Sequence, residues 1–164
     1  MNGRRWLAPE VVQTSSMDCG PASLKCLLEG FGIPASYGRL REACQTQVDG
    51  TSIDTLEEVA QQLGLQADQV LLPADHVARR GGADGALLAV VDLPDQGTHF
   101  VVVWRRVGRW VQVMDPGAGR RWLPAAALRA QLHVHEAEVD AATWRDWAAG
   151  ADNAAALAAR GQAL

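Results

Sequence analysis

Lysine is almost absent from this 164-residue chain: Lys25 is the only one, and the rest of its 15 basic residues are arginines. Together with the abundant alanine, this reflects genome composition rather than function. Against 19 acidic residues the formal net charge is −4. A general nucleic-acid binder would carry a basic excess, so no nucleic-acid partner is expected. Long apolar runs are missing as well. The most apolar stretches, Ala86–Val91 and Phe100–Trp104, fall far short of the roughly 20 residues a membrane-spanning helix needs. The N-terminal MNGRRWLAPEVV holds two arginines but no apolar run that could act as a signal peptide. Cysteine is scarce and odd in number: Cys19, Cys26 and Cys44, with no CxxC pair. Without an export signal these read as thiols, not as a disulfide framework. Unpaired cysteine spacing also argues against a zinc site. The expected setting is the cytosol or a cytosol-facing surface.

What is present is ordinary globular material. Apolar residues make up 48% and charged residues 21%, which excludes a disordered chain, a collagen and a coiled coil. The length fits one domain with a hydrophobic core of its own. The first half reads as helical. Pro21 suits a first helical turn and Gly30 or Gly32 a stop, giving a helix from Asp18 to Gly30. A second, short helix runs from Ser36 to Cys44. A third spans Ser52 to Leu63, with Ile53, Leu56, Val59, Ala60 and Leu63 at helical spacing. The second half is β-branched: Ala86–Leu93, His99–Val107 and Arg109–Met114 read as strands, and Leu123–Leu132 as a short helix. Helices followed by strands imply an α+β domain. Residues 1–135 form this domain. Residues 136–164, rich in alanine, read as a tail in which Trp144 and Trp147 share a helix face.

The sharpest chemical signal is QTSSMDCGPASL. A cysteine just before Gly-Pro sits where a helix begins. The unpaired N–H groups and positive dipole end there favour a thiolate, and the thiolate is the nucleophile. Cys19 lies between Asp18 and Gly20, a polar, turn-like setting. Cys26, inside the amphipathic part of the same helix, reads as core, and Cys44 likewise. A cysteine nucleophile needs a base. His99 opens a strand, HFVVVWRRV, whereas His76, His133 and His135 sit in polar surroundings. The base needs an orienting acceptor. If Arg106–Val107–Gly108 forms a three-residue hairpin loop, Arg105 pairs with Arg109. Six residues back along each arm, His99 then faces Asp115 directly, at hydrogen-bonding reach. The oxyanion needs donors: the Cys19 backbone N–H is one, and the Gln13 side-chain amide, from the preceding extended segment, is a second.

These blocks, Gln13 with DCGPASL, GTSIDTLEEVAQQLGLQA, HFVVVWR and VMDPGAGRRWL, resemble in order those of the double-glycine leader peptidases over roughly Val11 to Leu132. The resemblance implies a papain-like cysteine peptidase, usually part of a peptidase-containing ABC transporter that matures and exports bacteriocin-like peptides. Carried over, Cys19 is the nucleophile, His99 the base, Asp115 the orienting acid and Gln13 the oxyanion glutamine. The implied reaction is cleavage after Gly-Gly (or Gly-Ala), at the cytoplasmic side of the bacterial inner membrane, with no metal or organic cofactor. The implied partners are a leader-containing precursor peptide and the transmembrane and ATP-binding domains of a transporter. Amphipathic leaders also imply an exposed apolar groove, expected among apolar residues of the first half. Two departures stand out: no transmembrane segment and no GxxxxGK[ST] loop occur here. Two other functions fit the same residues: a non-catalytic domain that recruits export substrates, and a papain-like hydrolase of another substrate.

Overall fold

The structure, a computed structural model, describes residues 4–46, 50–83, 85–94, 97–136, 138–151, 153–155 and 158. The chain divides into two compact units, Met1–His133 and Val134–Leu164.

In the first unit, helices α1 (Cys19–Gly30), α2 (Tyr37–Ala43), α3 (Ile53–Gln62) and α4 (Ala74–Ala83) precede a sheet. Its strands are β1 (Leu87–Leu93), β2 (Gly97–Val107), β3 (Trp110–Asp115) and β4 (Gly119–Pro124), and α5 (Ala125–Gln131) follows. The sheet is antiparallel in the order β1-β2-β3-β4. α3 starts where the Ser52 hydroxyl accepts the Thr55 N–H at 3.2 Å, a capping bond that satisfies one orphan donor.

The sheet is buried on both faces, which is why β2 holds four consecutive buried residues, Val101 to Trp104. Val101, Val103, Val111 and Val113 pack with Ala78 of α4 and Leu128 of α5. Val102, Trp104 and Met114 pack with Ala22 and Cys26 of α1. The far side of α1 offers Leu24 and Leu28 to Leu40 of α2 and to Leu56, Val59 and Ala60 of α3. Helix α1 is therefore the middle layer, held from two sides, and its N-terminus is fixed accordingly. Close approach at its other end depends on Gly30: a Cβ there would lie 2.2 Å from Cη2 of the Trp104 ring.

Three features differ from the sequence reading. α4 was not among the expected helices; its Ala74, Val77 and Ala78 pack on the sheet. The segment before α5 is strand β4, so Leu123 and Pro124 are not helical. Most important, the β2–β3 hairpin closes earlier. Val107 pairs with Trp110 around Gly108-Arg109, with Gly108 at φ 57°, instead of Arg105 with Arg109. Two-residue turns match the strand twist, and Gly108 takes the left-handed conformation they require. The register then shifts between Val103 and Arg105. The inserted residue is Trp104, whose ring enters the core on the α1 face.

In the second unit, α6 (Ala141–Ala149) is capped by Asp140, whose carboxylate accepts the Ala142 and Thr143 N–H groups at 3.0 Å. None of its residues is buried, and Trp144 and Trp147 pack on each other with centroids 6.4 Å apart.

Candidate active site

The chain enters α1 through a tight turn in which the Asp18 N–H donates to the Ser15 carbonyl (3.1 Å) and the Ala22 N–H to the Asp18 carbonyl (3.0 Å). Cys19 is the first residue of α1 and keeps partial exposure. Its thiol lies within interaction range of the His99 side chain and the Phe100 and Gly20 backbone. Burial alone would push this thiol up. The hydrogen bonds to His99, Phe100 and Gly20 and the charge on His99 outweigh burial, so its pKa lies below the ordinary thiol value.

His99 is the one histidine of four that is buried, at 6% exposure. Its Nε2 lies 2.9 Å from Oδ1 of Asp115. Burial disfavours the imidazolium, but hydrogen bonds to Asp115 and Cys19 and the charges of both raise the His99 pKa to about 9. Asp115 is held on both oxygens: Oδ1 also accepts the Gly117 N–H at 2.8 Å, and Oδ2 accepts from Nη2 of Arg121 at 2.9 Å. Burial raises its pKa, while His99, the Gly117 amide and Arg121 bring the net value below the ordinary carboxyl. Thiol down, imidazole up and carboxyl down is the pattern that favours a thiolate–imidazolium pair beside an ionised acid.

The His99–Asp115 contact forms in a register different from the expected one. Val102 pairs with Met114, and the same register one step on sets Val101, not His99, beside Asp115. His99 and Asp115 are thus diagonal neighbours on one sheet face, within reach of long side chains. Without the shift at Trp104 the two would point to opposite faces.

Gln13 reaches this corner through its backbone: its N–H donates to the Pro116 carbonyl at 2.9 Å, directly after Asp115. Its Oε1 is buried and has no hydrogen-bond partner. Two residues escaped the sequence reading. Arg121 grips Asp115 from β4, and its signal was positional: Asp115 pairs with Gly119, and Arg121 is two residues further along that strand. Asp18 is completely buried, and its ion pair with Arg41 spans a separation no local pattern reveals. An exposed apolar groove, lined by Trp6, Val107, Trp110 and Trp122, lies around the closed end of the β2–β3 hairpin.

A thiol at a helix N-terminus packed on an antiparallel sheet that carries an imidazole and a carboxylate is the architecture of the papain-like cysteine peptidases. More narrowly, the chain belongs to the peptidase C39 family, whose profile matches residues 8–139. It is 27% identical over 110 residues to the lactococcin-G-processing and transport ATP-binding protein LagD of Lactococcus lactis subsp. lactis, covering 67% of this chain and 16% of that protein. An uncharacterized protein of Methanothermobacter marburgensis is 29% identical over 119 residues, 71% of this chain and 79% of the relative. Two solved structures share the fold. One is a double glycine motif protease from an AMS/PCAT transporter in complex with the leader peptide (TM-score 0.62, 21% identity, 80% of this chain and 89% of that one). The other is the peptidase domain of Streptococcus ComA, a bi-functional ABC transporter of a quorum sensing pathway (TM-score 0.68, 20% identity, 76% and 92%). Among the described residues, no helix is long and apolar enough to cross a membrane.

Proposed function

We propose that this chain is a cysteine endopeptidase that removes leader peptides after a Gly-Gly (or Gly-Ala) pair, in concert with ABC-transporter export at the cytoplasmic face of a bacterial inner membrane. The observation that carries this reading is the juxtaposition of Cys19, His99 and Asp115, with opposite acidity shifts on the thiol and the imidazole. The family and the leader-processing neighbours support the substrate class. Residues 1–135 then act as the peptidase domain and 136–164 as the tail toward the transporter.

The Cys19 thiolate attacks the carbonyl carbon of the second glycine, and the carbonyl π electrons move onto oxygen. The Gln13 amide and the Cys19 backbone N–H stabilise that oxyanion, each such donor being worth about 2.7–4 kcal/mol of barrier. Collapse breaks the C–N bond, and protonated His99 gives its proton to the departing amine. Water then attacks the thioester as neutral His99 accepts its proton, which releases the leader acid and restores the thiolate. Asp115, bound to Nε2, leaves Nδ1 to face Cys19 and stabilises the imidazolium. Two small residues at the cut suit a cleft too narrow for any Cβ. An amphipathic leader also needs exposed apolar surface. The groove of Trp6, Val107, Trp110 and Trp122 is of that kind, with three of its four residues in the second half.

The test is incubation with synthetic precursors carrying Gly-Gly at the leader boundary. Cleavage by the wild type, lost in Cys19→Ala and lost when either glycine becomes a bulky residue, is the expected result. Binding without cleavage would point to a recruiting domain, and indifference to the glycines to a hydrolase of other substrates. Either outcome overturns the reading.

A further inference from the structure

The carboxylate of Asp18 is fully buried, one residue before Cys19, yet it makes no capping bond to α1. Its oxygens are spent elsewhere. Oδ1 accepts from Nε of Arg41 on α2 at 2.9 Å. Oδ2 accepts from the Thr14 hydroxyl at 3.0 Å and from the Tyr37 hydroxyl at 3.3 Å. The Tyr37 hydroxyl in turn accepts the Thr14 N–H at 3.2 Å. Thr14 is thus held by both its backbone and its side chain, and it is the residue directly after Gln13. On the other side, Gln13 is pinned through its own N–H to Pro116, next to Asp115.

A buried charge is costly unless hydrogen bonds satisfy it, and removing a partner leaves the penalty exposed. An N-terminal cap needs no such cage, since a serine would serve. What this cage fixes is the path from Gln13 to Cys19, the two ends of which carry the oxyanion donor and the nucleophile. Oxyanion donors must sit within a few tenths of an ångström of the developing charge to act. We propose that Asp18, through Thr14, Tyr37 and Arg41, is a positioning residue that aims the Gln13 amide at the oxyanion formed on Cys19. This rests on the peptidase reading above, deepening it by a residue outside the Cys19–His99–Asp115 set.

The experiment is a double-mutant cycle read in kcat, KM and thiol alkylation, at a temperature where every variant is folded by circular dichroism. Two substrates are used: a Gly-Gly precursor peptide and an activated glycine ester. Asp18→Asn is expected to lower kcat about tenfold or more, with KM and the Cys19 alkylation rate by iodoacetamide within about twofold, because alkylation needs no oxyanion donor. On a Gln13→Ala background, Asp18→Asn should cost nothing further in kcat. Should Asp18→Asn not fold, Thr14→Val, at an exposed position, carries the same expectations. Unchanged kcat in folded variants, a full additive loss on the Gln13→Ala background, or alkylation falling in step with kcat would each overturn the proposal. Ester turnover without precursor cleavage by the wild type would sink leader processing alone and leave the cycle decisive for Asp18. Turnover of neither substrate would overturn both.

Discussion

Helix α1 carries two thiols seven residues apart, and they are driven in opposite directions. Cys19 at its first position has its pKa lowered by His99 and nearby backbone groups against the pull of burial. Cys26, fully buried among Ala22, Val102 and Met114, is pushed up to about 12 by burial and the nearby Glu29 charge. Cys44, at the end of α2, is raised to about 11 by burial alone. Side-chain chemistry is the same in all three. What separates them is whether a hydrogen-bonding cation partner accompanies the loss of water. Where none does, a cysteine is a small apolar residue; where one does, the same burial strengthens the partner's pull on the thiolate.

The most direct test breaks this comparison if it fails. Near pH 7.5, iodoacetamide should modify Cys19 at least about thirtyfold faster than Cys26. That allows roughly a thousandfold difference in thiolate fraction, offset by the greater intrinsic nucleophilicity of the more basic thiolate. Peptide mapping after timed quenching reads it directly, and equal labelling would undo the assignment of Cys19. The pH course sharpens it. Alkylation should rise with the Cys19 thiolate at a midpoint below the ordinary thiol value and then stay high. If the proposed mechanism holds, cleavage should rise with it but fall again near pH 9, as His99 loses the proton that the leaving amine would require.

Helices α1 to α3 and strands β1 to β3 were legible because apolar spacing and end signals agreed: Pro21 in the first turn, Ile53 to Leu63 at helical spacing, β-branched runs between turn residues. β4 was not legible, since GRRWLP alternates poorly and ends in proline, as edge strands can. Cys19 and His99 were legible from their places at a helix start and in a strand. The His99–Asp115 contact was anticipated, but through the wrong register. The shorter turn at Gly108-Arg109 and the extra residue at Trp104 each reverse the face, and together they restore it. Local patterns reveal turn preferences but not a bulge whose inserted tryptophan is buried in a core formed by distant elements. Asp18 and Arg121 were missed for the same reason: their partners are set by topology.

A second test concerns the carboxylate. If Asp115 orients a His99 base as proposed, Asp115→Ala should cost roughly a hundred- to ten-thousandfold in kcat/KM, less than His99→Ala, because an orienting group contributes less than the base it orients. With Asp115 gone, His99 also loses a stabilising partner of its cation. The falling limb of the cleavage profile should then move below pH 9. Full activity in Asp115→Ala would end its role, and a falling limb left in place would locate the support of His99 elsewhere.

The smallest effect separates the two ends of α1. At the C-terminal end the requirement is steric: Gly30 faces the fully buried Trp104, whose Nε1 donates to the Arg5 carbonyl at 3.1 Å and whose ring lies 5.5 Å from that of Phe31. A Cβ 2.2 Å from Cη2 cannot be accommodated without moving the ring. Overpacking of this kind costs about 1–3 kcal/mol, or roughly 2–12 °C in Tm for a domain near this size. Gly30→Ala should therefore melt lower while alkylating at Cys19 within about twofold of the wild-type rate at 25 °C. The sulfur's acidity comes from His99, Phe100 and Gly20 at the opposite end of the helix. A Gly30→Ala protein that slows alkylation tenfold while still folded would show that packing at one end sets the chemistry at the other, and would merge the two regions contrasted above.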